Sequence, residues 1–206
     1  MNTGRAHAGV TLRFATLEDV SGVAALHASR ISEGFLVTLG PAFLRRLYRR
    51  VVLSHHSFLL VADDTRAVCG FIAVAESTRA LYREYLIRDG VAATVAAARG
   101  IVRAPRSVWE TLRYGLRGND DAGAASGAGA EILATGVSAD WAGRGIGTAL
   151  VREAIEELER RGITSARVVT AVGNVAAVRA YERGGLRSCG RDVVHKGVTQ
   201  ELLVWP

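Results

Sequence analysis

Glu131-Ile-Leu-Ala-Thr-Gly-Val137-Ser-Ala-Asp-Trp-Ala-Gly143-Arg-Gly-Ile-Gly147-Thr-Ala-Leu150 carries an apolar strand through a glycine-rich turn directly into a helix. Glycines at 143, 145 and 147 leave main-chain N–H groups uncovered, and a helix starting near Gly147 adds the positive end of its dipole. Such a turn suits a pyrophosphate, so the segment predicts a phosphorylated cofactor. A dinucleotide fingerprint needs Gly-x-Gly-x-x-Gly and an acidic residue about 20 positions on. Here Thr148 stands in the third glycine's place, and the next strand, Ala166-Arg-Val-Val-Thr-Ala-Val172, ends in Gly173-Asn174. A P-loop needs a lysine before its Ser/Thr, and Gly147 precedes Thr148 directly. Both nucleotide readings fail.

The hexapeptide Ala142-Gly143-Arg144-Gly145-Ile146-Gly147 resembles motif A of the GNAT acetyltransferase superfamily, Gln/Arg-x-x-Gly-x-Gly/Ala. Ala142 stands where that family has Gln or Arg, and Arg144 is the charge available instead. A second segment, Asn174-Val-Ala-Ala-Val-Arg-Ala-Tyr181-Glu-Arg-Gly-Gly185-Leu186, is similar to the family's Asn-x-x-Ala-x-x-x-Tyr-x-x-x-Gly-Phe, with Leu186 replacing Phe. Its spacing is nearly two helical turns, which projects Asn174 and Tyr181 from one face. Together the two segments span residues 130 to 190 and are far more specific jointly than singly.

The resemblance implies acetyl-CoA as acyl donor. Gly143, Arg144, Gly145, Ile146, Gly147 and Thr148 would hold its pyrophosphate, the N–H groups of Gly136 and Val137 its pantetheine and thioester, and Asn174 its pantetheine or phosphate arm. Tyr181 would protonate the departing thiolate, a role that a phenol with a pKa near 10 fills without ionising first. An ammonium acceptor must also lose a proton before it attacks. Ala130-Glu131-Ile-Leu-Ala-Thr-Gly-Val137 resembles the strand of the histone acetyltransferase branch that carries a glutamate base. That assigns Glu131, or a water chain in its place, to the second catalytic role, with Glu76 in reserve; a carboxylate opening a half-buried strand is also an ordinary strand end.

Periodicity supplies the rest of the fold. Val10 to Ala15 alternates as a strand, and Thr16-Leu-Glu-Asp19 opens a helix to about Ser32. A helix follows Pro41, with Phe43, Leu44, Leu47 and Val51 inward and Arg45, Arg46, Arg49 and Arg50 toward solvent. Residues 57–62 and 67–75 form a hairpin. The helix carrying Leu150, Val151, Ala154, Ile155 and Leu158 has outward pairs Glu156–Arg160 and Glu157–Arg161 and stops at Gly162. Two strands, 186–194 and 198–205, close the chain. The resulting expectation is one α/β (α+β) GNAT domain over 1–206, a mixed, mostly antiparallel seven-stranded sheet flanked by helices. It carries a helical insertion after the third strand, residues 79–117, broken at Gly90, Gly100 and Pro105, then a flexible loop over 118–129. The insertion reads as a lid over the acceptor, a homodimer surface or a basic amphipathic patch on a membrane face.

Composition narrows the classes. With 206 residues, 49% apolar and 22% charged, the chain suits a single globular core. Two cysteines, Cys69 and Cys189, cannot form a disulfide framework, the opening residues lack an apolar signal core and no run is long enough to span a membrane, so the expected setting is the cytoplasm. The net charge of +6 invites a nucleic-acid reading, but no basic block is interleaved with aromatics, which are only 6% of the chain, so no nucleic acid is expected. His55 and His56 are adjacent and would face opposite ways in a strand, and His27 and His195 have no sequence-close partners; no metal is expected. The acceptor reading is a small-molecule amine, such as an amino sugar, aminoglycoside or polyamine. A protein N-terminus or lysine comes second, and a non-catalytic acyl-CoA-binding module, which Ala142 favours, is the reading from another class.

Overall fold

A computed structural model describes residues 4–31, 35–103, 129–194 and 198–206. In chain order the elements are β1 (Arg5–His7), β2 (Val10–Phe14), α1 (Val20–Arg30), α2 (Phe35–Thr38), α3 (Pro41–Leu53), β3 (Ser57–Asp63), β4 (Val68–Ala75), α4 (Thr78–Arg103), β5 (Ala130–Val137), a 3-10 turn (Ala139–Trp141), α5 (Ile146–Arg160), β6 (Ala166–Ala171), α6 (Val175–Gly184), β7 (Arg187–Val194) and β8 (Val198–Trp205). They form one mixed sheet in the order β1-β2-β3-β4-β5-β6-β8-β7. Every neighbouring pair is antiparallel except β5 and β6.

The sheet has eight strands where the sequence predicts seven. The addition is β1, three residues joined to β2 by Ala8-Gly9, both at positive φ, 48° and 86°. Two central residues at positive φ match the twist of a tight hairpin, but Ala8 is an unusual choice there and three residues show no readable alternation. The edge strand is tied down at a distance: Arg5 Nη1 pairs with Glu156 of α5 at 2.9 Å. That contact takes the expected Glu156–Arg160 pair apart. Glu157, also expected outside, is buried and binds Arg161 at 2.6 Å and Arg160.

Both sheet faces are covered. One face packs Leu12, Leu60, Ile72 and Ile132 against Leu150, Val151 and Leu158 of α5 and Tyr181 of α6. The other packs Leu59, Val61, Phe71 and Ala73 against Val23 of α1, Leu44, Tyr48 and Val51 of α3 and Leu81 of α4. The β2–α1 joint is fixed by Asp19, whose carboxylate turns back to accept from the Thr16 N–H at 2.7 Å and from both Arg13 Nη atoms at 2.7 and 2.8 Å. The Arg13 guanidinium holds that carboxyl below its ordinary range.

Two expectations for the helices change. The insertion begins as one 26-residue helix, Thr78–Arg103, which runs through Gly90 and Gly100 without breaking. An isolated glycine costs a helix only about 1 kcal/mol, which neighbouring alanines and arginines absorb. Pro105, the rest of 79–117 and all but Gly129 of the 118–129 loop lie outside the described residues. Arg50, expected in solvent, is buried between α3 and α4, where Nε binds Asp89 at 2.6 Å and Nη1 binds Glu84 at 3.2 Å. Among the described residues no helix is long and apolar enough to cross a membrane.

Candidate active site

Strands β5 and β6 pair only at Ala130↔Ala166 and Glu131↔Arg167 and then diverge. On its other side β5 stays paired with β4 up to Val137, with a register shift that leaves Leu133 opposite no residue of β4. A bulge at that point bends the strand and strengthens its twist. The edge of β5 facing β6 therefore opens into a cleft from Leu133 onward, with main-chain groups that have no strand partner.

Strand alternation decides which N–H groups face the cleft. Ser138 N–H bonds Cys69 O of β4 at 2.8 Å. Antiparallel pairs alternate in their bonding, so Gly136 N–H also turns to β4, toward its register partner Phe71. Thr135 and Val137 turn their N–H groups to the open edge. Of the two N–H groups expected there, that of Val137 faces the open edge and that of Gly136 faces β4. The glycine has another reason to be there: a Cβ at 136 would sit 2.7 Å from the Phe71 ring.

Beyond Val137 the chain makes the expected turn. Gly143 and Gly145 have φ of 77° and 78°, a conformation that glycine adopts without strain. Gly145 caps α5, which starts at Ile146. The N–H groups of the first turn are thereby left at the helix's positive end. The Ile146 side chain is buried, 3.1 Å from where a Cβ at Gly70 would sit, so it offers main chain only. Arg144 stacks over the Trp141 ring, 4.7 Å from its centroid. Thr148 lies in the first helical turn and is half-buried.

Gly147 marks where the parts meet, since a methyl there would lie 3.5 Å from Ala180 Cβ of α6 and 3.8 Å from Val137 Cγ2 of β5. Next to Ala180, Tyr181 is buried and its phenol is pushed above the ordinary tyrosine range by that burial, opposed by the nearby Thr135 hydroxyl. Thr135 Oγ1 is buried and makes no hydrogen bond of ordinary geometry among the described residues. Asn174 uses its Oδ1 to accept from the Ala177 N–H at 3.2 Å and so caps α6. Its amide N–H donors point the way to any wider role.

On the opposite face of β5, Glu131 Oε2 accepts from Thr78 Oγ1 at 3.1 Å and from Arg167 Nη2 at 3.2 Å. Tyr82 lies close enough for the Glu131 charge to add to the effect of burial in raising its phenol. The structure thus gathers Glu131, Thr78, Tyr82 and Arg167 at the closed end of the cleft. The reserve base Glu76 is paired with Arg161 at the far end of α5 and is not part of this group.

The remaining reactive side chains are engaged elsewhere. Cys69 is buried, bonds Ala62 O at 3.3 Å, and its thiol is pushed up to about 11 by burial and by Asp64. His27 Nδ1 lies 2.6 Å from the Tyr48 hydroxyl, beside the Phe71 ring, and burial pushes its imidazole down. No group of three metal-ligating side chains occurs among the described residues.

The family model for "Acetyltransferase (GNAT) family" matches residues 29–185, which include the bulged strand, the glycine turn and Tyr181. The chain belongs to the GNAT acetyltransferase family. It is an acyltransferase by that membership, and it shares its fold with solved acetyltransferase structures. The crystal structure of SsHAT superposes with a TM-score of 0.64 at 15% identity, covering 95% of this chain and 97% of that one. The aminoglycoside acetyltransferase AAC(6')-Ib in complex with coenzyme A gives 0.58 at 19% identity, covering 95% and 93%. The ribosomal-protein-S18-alanine N-acetyltransferase from Escherichia coli gives 0.57 at 12% identity, covering 96% and 93%. No curated protein sequence matches this acetyltransferase.

Thr135, Thr78, Tyr82 and Arg167 are absent from the residues that the sequence singles out. Of these, Thr135 and Arg167 had an available signal, because each lies within a strand that the sequence analysis quotes.

Proposed function

We propose that this protein transfers an acetyl group from acetyl-CoA to a primary amine of a small molecule, an amino sugar, aminoglycoside, polyamine or similar, by direct attack. The carrying observation is the convergence at Gly147 of three parts: the open edge of β5, the helix-capping glycine turn and the Tyr181 helix. Acetyl-CoA supplies an activated acyl carbon on a sulfur leaving group. Thr135 and Val137 N–H groups would hold the thioester and pantetheine along the strand edge, and the residue 143–148 turn would hold the pyrophosphate. The neutral amine attacks the carbonyl carbon, the C–S bond breaks, Glu131 takes the amine proton directly or through water, and Tyr181 gives its proton to the sulfur.

Two similar structures support the class from different sides, one an aminoglycoside acetyltransferase with coenzyme A bound and the other an acetyltransferase of a protein N-terminal alanine. The test is a thiol-release screen with acetyl-CoA over amino sugars, aminoglycosides, polyamines, amino acids and peptides. Release with small amines is the expected result. Thermal stabilisation by acetyl-CoA with no thiol released on any amine would identify the non-catalytic module that Ala142 favours.

The turn carries its own prediction. Gly145→Val forces a branched side chain into the left-handed region at a cost of about 1–2 kcal/mol. If strain is relieved by opening the turn, calorimetry should show acetyl-CoA binding weakened about tenfold or more. Unchanged affinity would remove the turn from the cofactor site.

A further inference from the structure

We infer that Arg167 anchors an anionic group on the acceptor, which makes the preferred substrate a small amine that also carries a carboxylate. The inference rests on the acetyl-transfer reading above and narrows its substrate class.

Arg167 belongs to β6, is 6% exposed and stands beside Glu131 in the last paired step before the cleft opens. A guanidinium has five N–H donors and no acceptor. Among the described residues Arg167 makes one hydrogen bond, Nη2 to Glu131 Oε2 at 3.2 Å, and one ion pair, to the same atom. Among the described residues Nε and Nη1 have no protein acceptor, and neither is a fully buried unbonded atom, so both remain open to a ligand. A purely structural ion pair would be expected to saturate the fork, as Arg13 does with Asp19 and Asp63. The unsatisfied side of a planar fork is the shape that a carboxylate fits with two parallel bonds.

The surroundings match a zwitterion better than a polycation. Val169, two residues along β6 and so on the same face as Arg167, is 47% exposed, which gives the cleft wall an apolar surface for a short carbon chain. A polycation needs several free carboxylates, yet Glu131 is engaged by Arg167 and Thr78. Glu84 and Asp89 of α4 are engaged by Arg50 and Ser54. Arg79 and Arg83 of that helix, next in sequence to Thr78 and Tyr82, are exposed and would repel a polyamine and attract an acid. With its carboxylate on Arg167, the acceptor would present its amine toward Glu131.

The experiment compares matched pairs in the thiol-release assay: standard L-amino acids and ω-amino acids, each against its own amide. The wild-type protein is expected to prefer at least one acid over its amide by about tenfold or more in kcat/KM. Arg167→Met should abolish that preference by raising KM for the acid, with KM for acetyl-CoA unchanged. Arg167→Lys, which keeps the charge but loses the fork, should restore part of it. Equal rates for every acid and amide, or a preference that survives Arg167→Met, would overturn the inference. If Arg167→Met fails to fold, the wild-type pairs and Arg167→Lys decide the same question. Should no amine release thiol, the acetyl-transfer reading falls; calorimetry of the same pairs on the coenzyme A complex then tests Arg167 separately, and equal binding of acid and amide overturns it.

Discussion

Tyr181→Phe is expected to lower kcat by about 10²-fold or more while leaving the affinity for acetyl-CoA within about twofold. The substitution removes one oxygen from a buried ring that remains packed among Val151, Leu186 and Ala177, so folding and cofactor seating should persist. On the proposed mechanism, what is lost is the proton donor for the thiolate. Burial raises the Tyr181 phenol above its ordinary pKa near 10, so it stays protonated across the neutral range and is a ready acid there. The pH profile gives a second check. A raised phenol pKa places any loss of the acid above about pH 10, so activity that falls as pH drops below neutral must come from protonation of the amine or its base, and that fall should survive in the variant. A kcat unchanged by Tyr181→Phe would exclude the residue from proton transfer and leave water to protonate the sulfur.

The glycine turn and the Tyr181 helix were legible because their signal is local. Glycines 143, 145 and 147 advertise a turn through conformational freedom, and the interval from Asn174 to Tyr181 is a helical spacing, so both survive in one dimension. At the closed end of the cleft only Glu131 was legible, through its strand; its partners Thr78 and Arg167 were not, because they come from different elements. Glu131, Thr78 and Arg167 are 53 and 36 positions apart in their hydrogen bonds and meet only through strand pairing and the start of α4. Thr135 was hidden more subtly. Which N–H groups of β5 face the cleft depends on the bulge at Leu133 and the bond from Ser138 to Cys69, and neither has a sequence signature. The eighth strand escaped for the same reason, since three residues cannot display a period.

Charge placement on helices was the least readable feature, and it carries the largest stability prediction. Arginines at 45, 46, 49 and 50 sit opposite the apolar stripe of α3, which reads as a solvated face. Once α4 packs across that face, Arg50 is covered, and it survives burial only through Asp89 at 2.6 Å and Glu84 at 3.2 Å. Asp89→Ala is therefore expected to destabilise the protein by about 3 kcal/mol, the lower part of the range for removing one partner of a buried pair, because Glu84 remains. For a chain of this size that corresponds to a fall in Tm of about 6–12 °C. The double variant Arg50→Met, Asp89→Leu removes both charges and fills the same space with apolar atoms, so it should recover most of the loss. Denaturant titration of the three proteins checks this: if Asp89→Ala costs as little as an exposed pair, under about 1 kcal/mol, then water reaches Arg50 and α4 does not seal the face of α3.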